Sequence, residues 1–494
     1  MNKTEKHSGL AKLVLMLVLS CVTQVVTLMK SSVVAGTFGA SAEMDSFSFA
    51  NSTATFIFSF VTAGVATVVI PCYVKKTNRK NTDAFLTVIF SCVAAVSILL
   101  LLLRTPVISM ITGRSAEFVC LSGNIMIVLM IANLLNIFTS TTSAFFQYKE
   151  EYNVPKIITL IAQTAVVVFL VALKNMTIMQ YAVIFGSGIV CSAVADLFFA
   201  LKSGWRYKPN FAVKDPETQK LLRTFLPILF STGVYQLSLM VDSSIASQLD
   251  TGNLTVLSYA NQISSMINTL LVSNLLIYFY PKLVKDVEEL KEQSSFWEKT
   301  YFFHAVLCLV TAGYAVVGRE GVSLLFEHGK FDAAAAQSVF VMSLIYISAQ
   351  QIGIVRDLIY RYFYAFGNTR TPTYNSVIAT TANIVLSLVL VKFIGVYGIV
   401  VGTALSSVVS LTMIMVQFRK KYGFSESIWR ILFQYMKSLL ITAASIGVVL
   451  MTKKLVVISS EIIAIVVFGV EVLAVYGMLS WSFNRKIIKI ARNI

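Results

Sequence analysis

Histidine, acidic residues and charge of any kind are scarce in this 494-residue chain, which holds 3 His and 24 Asp plus Glu against 40 Lys plus Arg. His7, His304 and His328 are too few and too far apart for a zinc constellation. The six cysteines (Cys21, Cys72, Cys92, Cys120, Cys191, Cys308) form no CxxC pair and read as small apolar packing residues, silent about redox compartment. The chain has no GxxxxGKS/T phosphate loop, no HExxH helix, no Ser-His-Asp set, and no soluble segment large enough to house one. Charged residues make up 13% of it, too little polar surface to coat a soluble domain. These absences exclude P-loop nucleotide hydrolysis and the familiar hydrolases. They leave a transporter rather than an enzyme, driven by a gradient or by consumption of its substrate. No cofactor is expected beyond a coupling cation, Na+ or H+.

Apolar sequence is what the chain has in quantity: 56% hydrophobic residues and a mean hydropathy of +0.77. A bilayer core about 30 Å thick is crossed by about 20 apolar residues in a helix. Fourteen stretches are read as spans, at 10–34, 47–74, 84–103, 118–147, 155–173, 179–201, 223–248, 254–281, 301–326, 337–366, 374–392, 395–418, 436–453 and 460–483. The expected fold class is an all-α polytopic membrane protein with 14 transmembrane helices. With the N-terminus in the cytoplasm, the inner side collects Lys75, Lys76, Arg79 and Lys80, the run from Lys202 to Arg223, and the loop with Lys282, Lys285, Lys291 and Lys299. Arg419 to Lys421 and the basic tail fall there too, as the positive-inside rule requires. Both termini are then cytoplasmic. The net charge of +16 is a topology signal with some attraction to anionic lipid. Spread over short separate segments, it forms no nucleic-acid patch. The first span is long for a signal-peptide core, lacks a clear small-x-small cleavage site and reads as a retained helix.

The chain carries an internal repeat. "SFANSTATFIFSFVTAGVATVVIPCYVKK" (48–76) aligns with "SYANQISSMINTLLVSNLLIYFYPKLVKD" (258–286) at an offset of 210, matching Ala50-Asn51 with Ala260-Asn261 and Pro71 with Pro281. "FFQYKEEYNVP" (145–155) echoes "FYAFGNTRTP" (363–372), and Tyr181 and Gly186 echo Tyr397 and Gly402. Spans one to six are therefore read as duplicated in spans seven to twelve. An even number of helices per copy relates the two lobes by an axis along the membrane normal, an arrangement suited to alternating access. The expected domains are an N-terminal lobe at 1–202, a cytoplasmic linker at 203–222, a C-terminal lobe at 223–420, and two added helices with a tail at 421–494.

Lipid offers no hydrogen bonds, so polar side chains within spans face protein or water. Here they fall in stripes at helical spacing: Ser20, Thr23, Thr27 and Lys30 with Gln24 alongside in the first span; Ser231, Tyr235, Ser238 and Asp242 in the seventh; Ser258, Asn261, Ser265 and Asn268 in the eighth. One stripe would be interhelical hydrogen-bond glue. Stripes in the equivalent first and seventh spans favour a shared hydrated cavity. Lys30 and Asp242 stand in equivalent helices, each toward the outer third, with opposite signs. Snorkelling to the outer headgroups accounts equally well for Lys30, but the short stem of Asp242 reaches less far, which favours a functional role. Asp45 and Asp196 lie close to span ends, and Asp357 with Arg361 has the spacing of a helical ion pair.

The segments "VVAGTFGASAEMDSFSFA" (33–50), "LPILFSTGVYQLSLMVDSSIASQLDTGNLTVLSYAN" (226–261), "FEHGKFD" (326–332) and "RYFYAFGNTRTP" (361–372) resemble the MurJ/MviN family of lipid II flippases, in the multidrug/oligosaccharidyl-lipid/polysaccharide exporter superfamily. The resemblance spans most of the chain and implies two six-helix lobes around a central cavity, with the last two helices forming a groove for an undecaprenyl tail. In better-known members, cavity arginines of the first, second and eighth helices hold the pyrophosphate. At the matching positions this chain keeps only Lys30 as a cation, with Gln24, Phe58 and Gln262 at the others. A pyrophosphate prefers paired, bidentate cations, so one lysine is a weaker anchor. The resemblance also implies a sodium site on the seventh, eleventh and twelfth helices. It falls here on Asp242, Asn383, Ser387, Ile399 (through its carbonyl) and Thr403, all oxygen donors suited to a hard cation, with Ser387 replacing an acidic residue.

The activity expected is that of a flippase in the bacterial cytoplasmic membrane. It would move an undecaprenyl-pyrophosphate-linked oligosaccharide, lipid II or similar, to the outer leaflet for cell-wall synthesis. Lys30 would contact the pyrophosphate, while Gln24, Asn261, Gln262 and Asn51 (the repeat-mate of Asn261) would bind sugar or phosphate oxygens. Asp242, with Asn383 and Thr403 as Na+ ligands, would couple transport to a cation. The expected partners are that lipid-linked glycan and membrane lipid. The rival readings are a flippase for capsule, exopolysaccharide or O-antigen repeats, a cation-coupled exporter of organic cations, and a non-transporting scaffold for cell-wall enzymes.

Overall fold

A computed structural model of the chain describes residues 3–74, 78–149, 151–173, 175–273, 293–456, 458–487 and 490. Lys75, Lys76, Pro281, Lys282, Lys285 and Lys291, and the side chains of Ser231 and Tyr235, lie outside the described residues. Among those described, the chain is all-helical with no strands. In a bilayer only a helix or a closed barrel satisfies every backbone N–H and C=O internally, and these long apolar segments take the first route.

The first unit, Met1–Thr255, is built from α1 (Lys3–Phe38), α2 (Ala42–Val74), α3 (Arg79–Leu102), α4 (Arg104–Thr112), α5 (Ala116–Tyr148), α6 (Asn153–Ala172), α7 (Ile178–Lys202) and α8 (Pro216–Ser247). Local chemistry sets the ends. Thr177 and Gln180 cap α7 reciprocally, Asp215 caps α8 with Pro216 in its first turn, and Gly113 closes α4 with a left-handed turn at φ +60°. Helix α2 packs on α5 and α8, α5 on α7, and α1 on α6. The 203–215 segment is strapped to α3. Lys208 N donates to Asp83 Oδ2 at 3.3 Å, Asn210 N donates to Thr87 Oγ1 at 3.0 Å, and Tyr207 and Thr87 share a 2.8 Å hydrogen bond. Burial raises the Tyr207 phenol above its ordinary range.

Helix α9 (Asn253–Ile267) opens at the end of the first unit and runs into the second, Val256–Ile494, where it continues as a π-helical turn over Asn268–Ser273. The second unit goes on with α10 (Gln293–Phe326), α11 (Ala333–Ala365), α12 (Arg370–Ile394), α13 (Tyr397–Tyr422), α14 (Ile428–Leu455) and α15 (Glu461–Phe483). The pairings α5–α7 and α6–α7 of the first unit recur here as α11–α13 and α12–α13. Helices α14 and α15 pack on each other and on α10. One end of it is filled by aromatic side chains, with Phe296, Trp297, Tyr362, Phe363 and Phe418 buried together.

Thirteen of the fourteen expected stretches fall on these helices, the eighth (254–281) is described only in part, and α4 is an additional short helix between the third and fourth. Among the described residues, eleven helices are long and apolar enough to cross a membrane. Helices α2, α8 and α9 carry the other three expected spans, the last of them described only as far as residue 273. The six cysteines are free: Cys72 and Cys308 are buried, and the other four lie on exposed helix faces.

Candidate functional site

Lys30 sits on α1 and is 7% exposed. Its ammonium donates to Gln163 Oε1 of α6 at 3.1 Å and lies 4.6 Å from the ring centroid of Phe185 on α7. Phe185 belongs to an aromatic group with Phe47 and Tyr181. Among the described residues no carboxylate reaches Lys30. A buried charge normally acquires a counter-ion, because taking it out of water costs several kcal/mol, so this ammonium is an electrostatic demand that the protein leaves open.

Two amides of the expected substrate set share that unit. Gln24 on α1 and Asn51 on α2 are half-buried, and neither side chain makes a hydrogen bond among the described residues. Phe58, at one of the positions where the resemblance implies a cation, is buried at 4% exposure. Asn261 and Gln262 belong to the second unit, on α9, and are also half-buried; Asn261 Oδ1 accepts from Ser265 at 3.5 Å. Asp242 on α8, in the first unit, is 5% exposed.

The remaining residues of the expected cation site come together in the second unit. Asn383 Nδ2 donates to Thr403 Oγ1 at 2.8 Å, Thr403 Oγ1 donates to the Ile399 carbonyl at 3.1 Å, and Ser387 Oγ approaches the same carbonyl at 3.5 Å. Asn383, Ser387 and Ile399 are buried. The close crossing of α12 and α13 makes this possible. A Cβ on Gly402 would stand 2.8 Å from Ser387 N and Oγ, so glycine lets the backbones approach. The cluster is made of neutral oxygens, a donor set that fits a hard monovalent cation once a carboxylate is added.

Several charged contacts were not legible from spacing. Asp45, near the start of α2 and ahead of the span read at 47–74, is 0% exposed. Its Oδ1 accepts from Thr255 N at 2.9 Å and Thr255 Oγ1 at 2.7 Å, and its Oδ2 accepts from Gly252 N at 2.8 Å and Arg114 Nη1 at 3.2 Å. Arg114 also donates to the carbonyls of Ser247 and Leu249, each at 2.6 Å. Burial pushes the Asp45 carboxyl up from the usual range, and the Thr255 and Gly252 hydrogen bonds and Arg114 pull it back. Gly252 has φ +91°, and a Cβ there would meet the Ala40 carbonyl oxygen at 2.8 Å. The result is a clasp joining the start of α2, the loop ahead of α5 and the turn from α8 into α9.

A second charged group pins the hairpin of α14 and α15. Lys453 Nζ lies 2.6 Å from both Glu320 Oε1 and the Val316 carbonyl, and Thr452 donates to Glu471 at 2.8 Å. Asp196, close to a span end, is nevertheless 2% exposed. Asp357 takes an ion pair from its neighbour Arg356 at 2.9 Å, so the long arginine stem reaches where helical spacing alone favoured Arg361. An amide or carboxylate inside an apolar helix (Gln163 in α6, Glu471 in α15) was the available signal for the contacts those two residues make.

Comparison with known proteins supplies the remaining findings. A family profile described as "Lipid II flippase MurJ" matches residues 34–468. A relative from Vibrio cholerae, named "Probable lipid II flippase MurJ", is 24% identical over 222 residues, covering 44% of this chain. The chain spans only 42% of that relative's length in the match. Among solved structures, "Lipid II flippase MurJ, inward closed conformation" superposes with a TM-score of 0.78 at 17% identity, over 96% of this chain and 100% of that one. A multidrug resistance MATE family transporter of the MOP superfamily, in an inward-facing conformation, gives 0.64 at 12% identity, over 85% and 98%. At such identities the superpositions speak for the fold alone.

Proposed function

The chain belongs to the lipid II flippase MurJ family, and on that premise we propose that it carries an undecaprenyl-pyrophosphate-linked oligosaccharide from the cytoplasmic to the outer leaflet of the bacterial cytoplasmic membrane. It is a transporter whose substrate is a lipid-linked glycan, with lipid II the first choice. The observation that carries this reading is the buried Lys30 ammonium, which no carboxylate reaches among the described residues. An anionic headgroup entering the protein would meet that demand, which a neutral or cationic cargo would not. Gln24 and Asn51, half-buried amides without partners among the described residues, would bind sugar or phosphate oxygens, as would Asn261 and Gln262. Fourteen spans with both termini in the cytoplasm, lobes at 1–202 and 223–420 joined by the 203–222 linker, and alternating access between them complete the proposal.

Asn383, Ser387, Thr403 and the Ile399 carbonyl, gathered in the second unit, would hold a coupling Na+; the buried Asp242 of the first unit would take part in the coupling, and the cation would favour one of the two access states. In proteoliposomes, transport should rise with an imposed Na+ gradient and lose that dependence in Asp242→Asn. Equal transport with and without Na+ removes the cation from the scheme.

The single cation favours one alternative, a flippase for a different undecaprenyl-linked repeat such as capsule or O-antigen. Complementation tests both. Expressed in a bacterium depleted of its own lipid II flippase, the chain should restore growth and lipid II exposure on the outer leaflet, and Lys30→Ala should not. Confirmed membrane expression without rescue would move the assignment to the other glycans.

A further inference from the structure

Gln163 and Phe185 surround the Lys30 ammonium, and both are electrically neutral. The Gln163 carbonyl accepts one of the three N–H bonds at 3.1 Å, and the Phe185 face supplies quadrupole attraction at 4.6 Å. Helix α6 offers no other side chain for the purpose at this level. The hydroxyls of Thr159 and Thr164 return to the carbonyls of Pro155 and Leu160 on their own helix. A carboxylate in place of Gln163, one heavy atom different in identity and equal in reach, would close a buried ion pair and leave nothing for an incoming anion.

We infer that Gln163 and Phe185 are positioning residues that seat the Lys30 ammonium while keeping its charge uncompensated, so that the diphosphate of the cargo is its counter-ion. The inference rests on the reading of Lys30 as the anion contact. The seat orders a flexible four-carbon stem before the ligand arrives, which removes part of the entropic cost of binding. It also keeps the ammonium from settling against a carboxylate of the protein.

The test uses the full-length protein in nanodiscs, with undecaprenyl diphosphate as the probe and thermal unfolding measured alongside. Gln163→Glu should weaken binding at least about 10-fold, as Lys30→Ala does, while its unfolding temperature equals or exceeds that of the parent because an ion pair has been completed. Gln163→Asn, neutral and slightly shorter, should stay within about 3-fold, and Phe185→Leu should fall between the two. A merely structural role for Gln163 would lower stability in the Glu variant and leave affinity in step with stability. If Lys30→Ala loses binding and Gln163→Glu retains it, the positioning role is overturned and the Lys30 contact stands. If Lys30→Ala binds as well as the parent, the Lys30 contact itself is wrong and the inference falls with it.

Discussion

The Asp45 clasp permits a quantitative test. Asp45→Ala removes the acceptor of four donors, Thr255 N and Oγ1, Gly252 N and Arg114 Nη1. It also leaves the Arg114 side chain, 13% exposed, with two carbonyls and no counter-charge. Deleting one partner of a buried pair costs about 3–5 kcal/mol, because the other charge stays buried. At about 2–4 °C per kcal/mol for units of 150–250 residues, the unfolding temperature should fall by on the order of 10 °C. Asp45→Asn should lose nearly as much, since its amide N–H2 turns a donor toward donors. The double variant Asp45→Asn with Arg114→Met should recover part of the loss, since no buried charge remains unpaired. The assay is thermal unfolding of the purified protein followed by tryptophan fluorescence. Amide exchange in the peptides covering 247–255 reports whether the clasp itself has opened. An unfolding temperature for Asp45→Ala within 2 °C of the parent, with exchange at 247–255 unchanged, would refute the argument that this carboxylate holds the three segments together.

Two further outcomes follow from other charged contacts. Lys453→Met should destabilise the α14–α15 hairpin by about 2 kcal/mol, since Glu320 then loses its 2.6 Å partner while its Oε2 already lacks one among the described residues; faster proteolysis within 428–483 reports it, and an unchanged digestion pattern contradicts it. Glu327, just beyond α10, is held below the usual glutamate range by hydrogen bonds from Arg319 and Ser323. A lowered folded-state value means the stabilisation is complete above the unfolded value of about 4.3 and disappears as pH falls through the folded one. The difference in unfolding temperature between parent and Glu327→Gln should therefore be constant at neutral pH and vanish in acid, and a difference that grows in acid would reverse the assignment.

What the sequence shows of this protein and what it hides divide along physical lines. Spans were legible because lipid imposes a length and a polarity on each helix independently of its neighbours. The expected repeat was legible because Ala50-Asn51 and Pro71 recur as Ala260-Asn261 and Pro281 at one offset of 210. The oxygen cluster of Asn383, Ser387, Ile399 and Thr403 became visible through the resemblance, and its geometry depends on Gly402 letting two helices approach, which no single-helix pattern announces. Partners of buried charge were the least legible. Lys30 meets Gln163 and Asp45 meets Arg114, at separations of 133 and 69 residues, and only the tertiary packing brings them together. The contrast between the two is the informative part. Asp45 sits near a helix end with its charge fully answered by four donors, as a structural clasp requires. Lys30 is buried too, and among the described residues its charge is answered only by an amide and a ring. Proteins rarely leave such a group without a counter-ion unless one arrives from outside, so the difference in how the two charges are satisfied separates the clasp from the proposed binding site more sharply than their positions in the spans could.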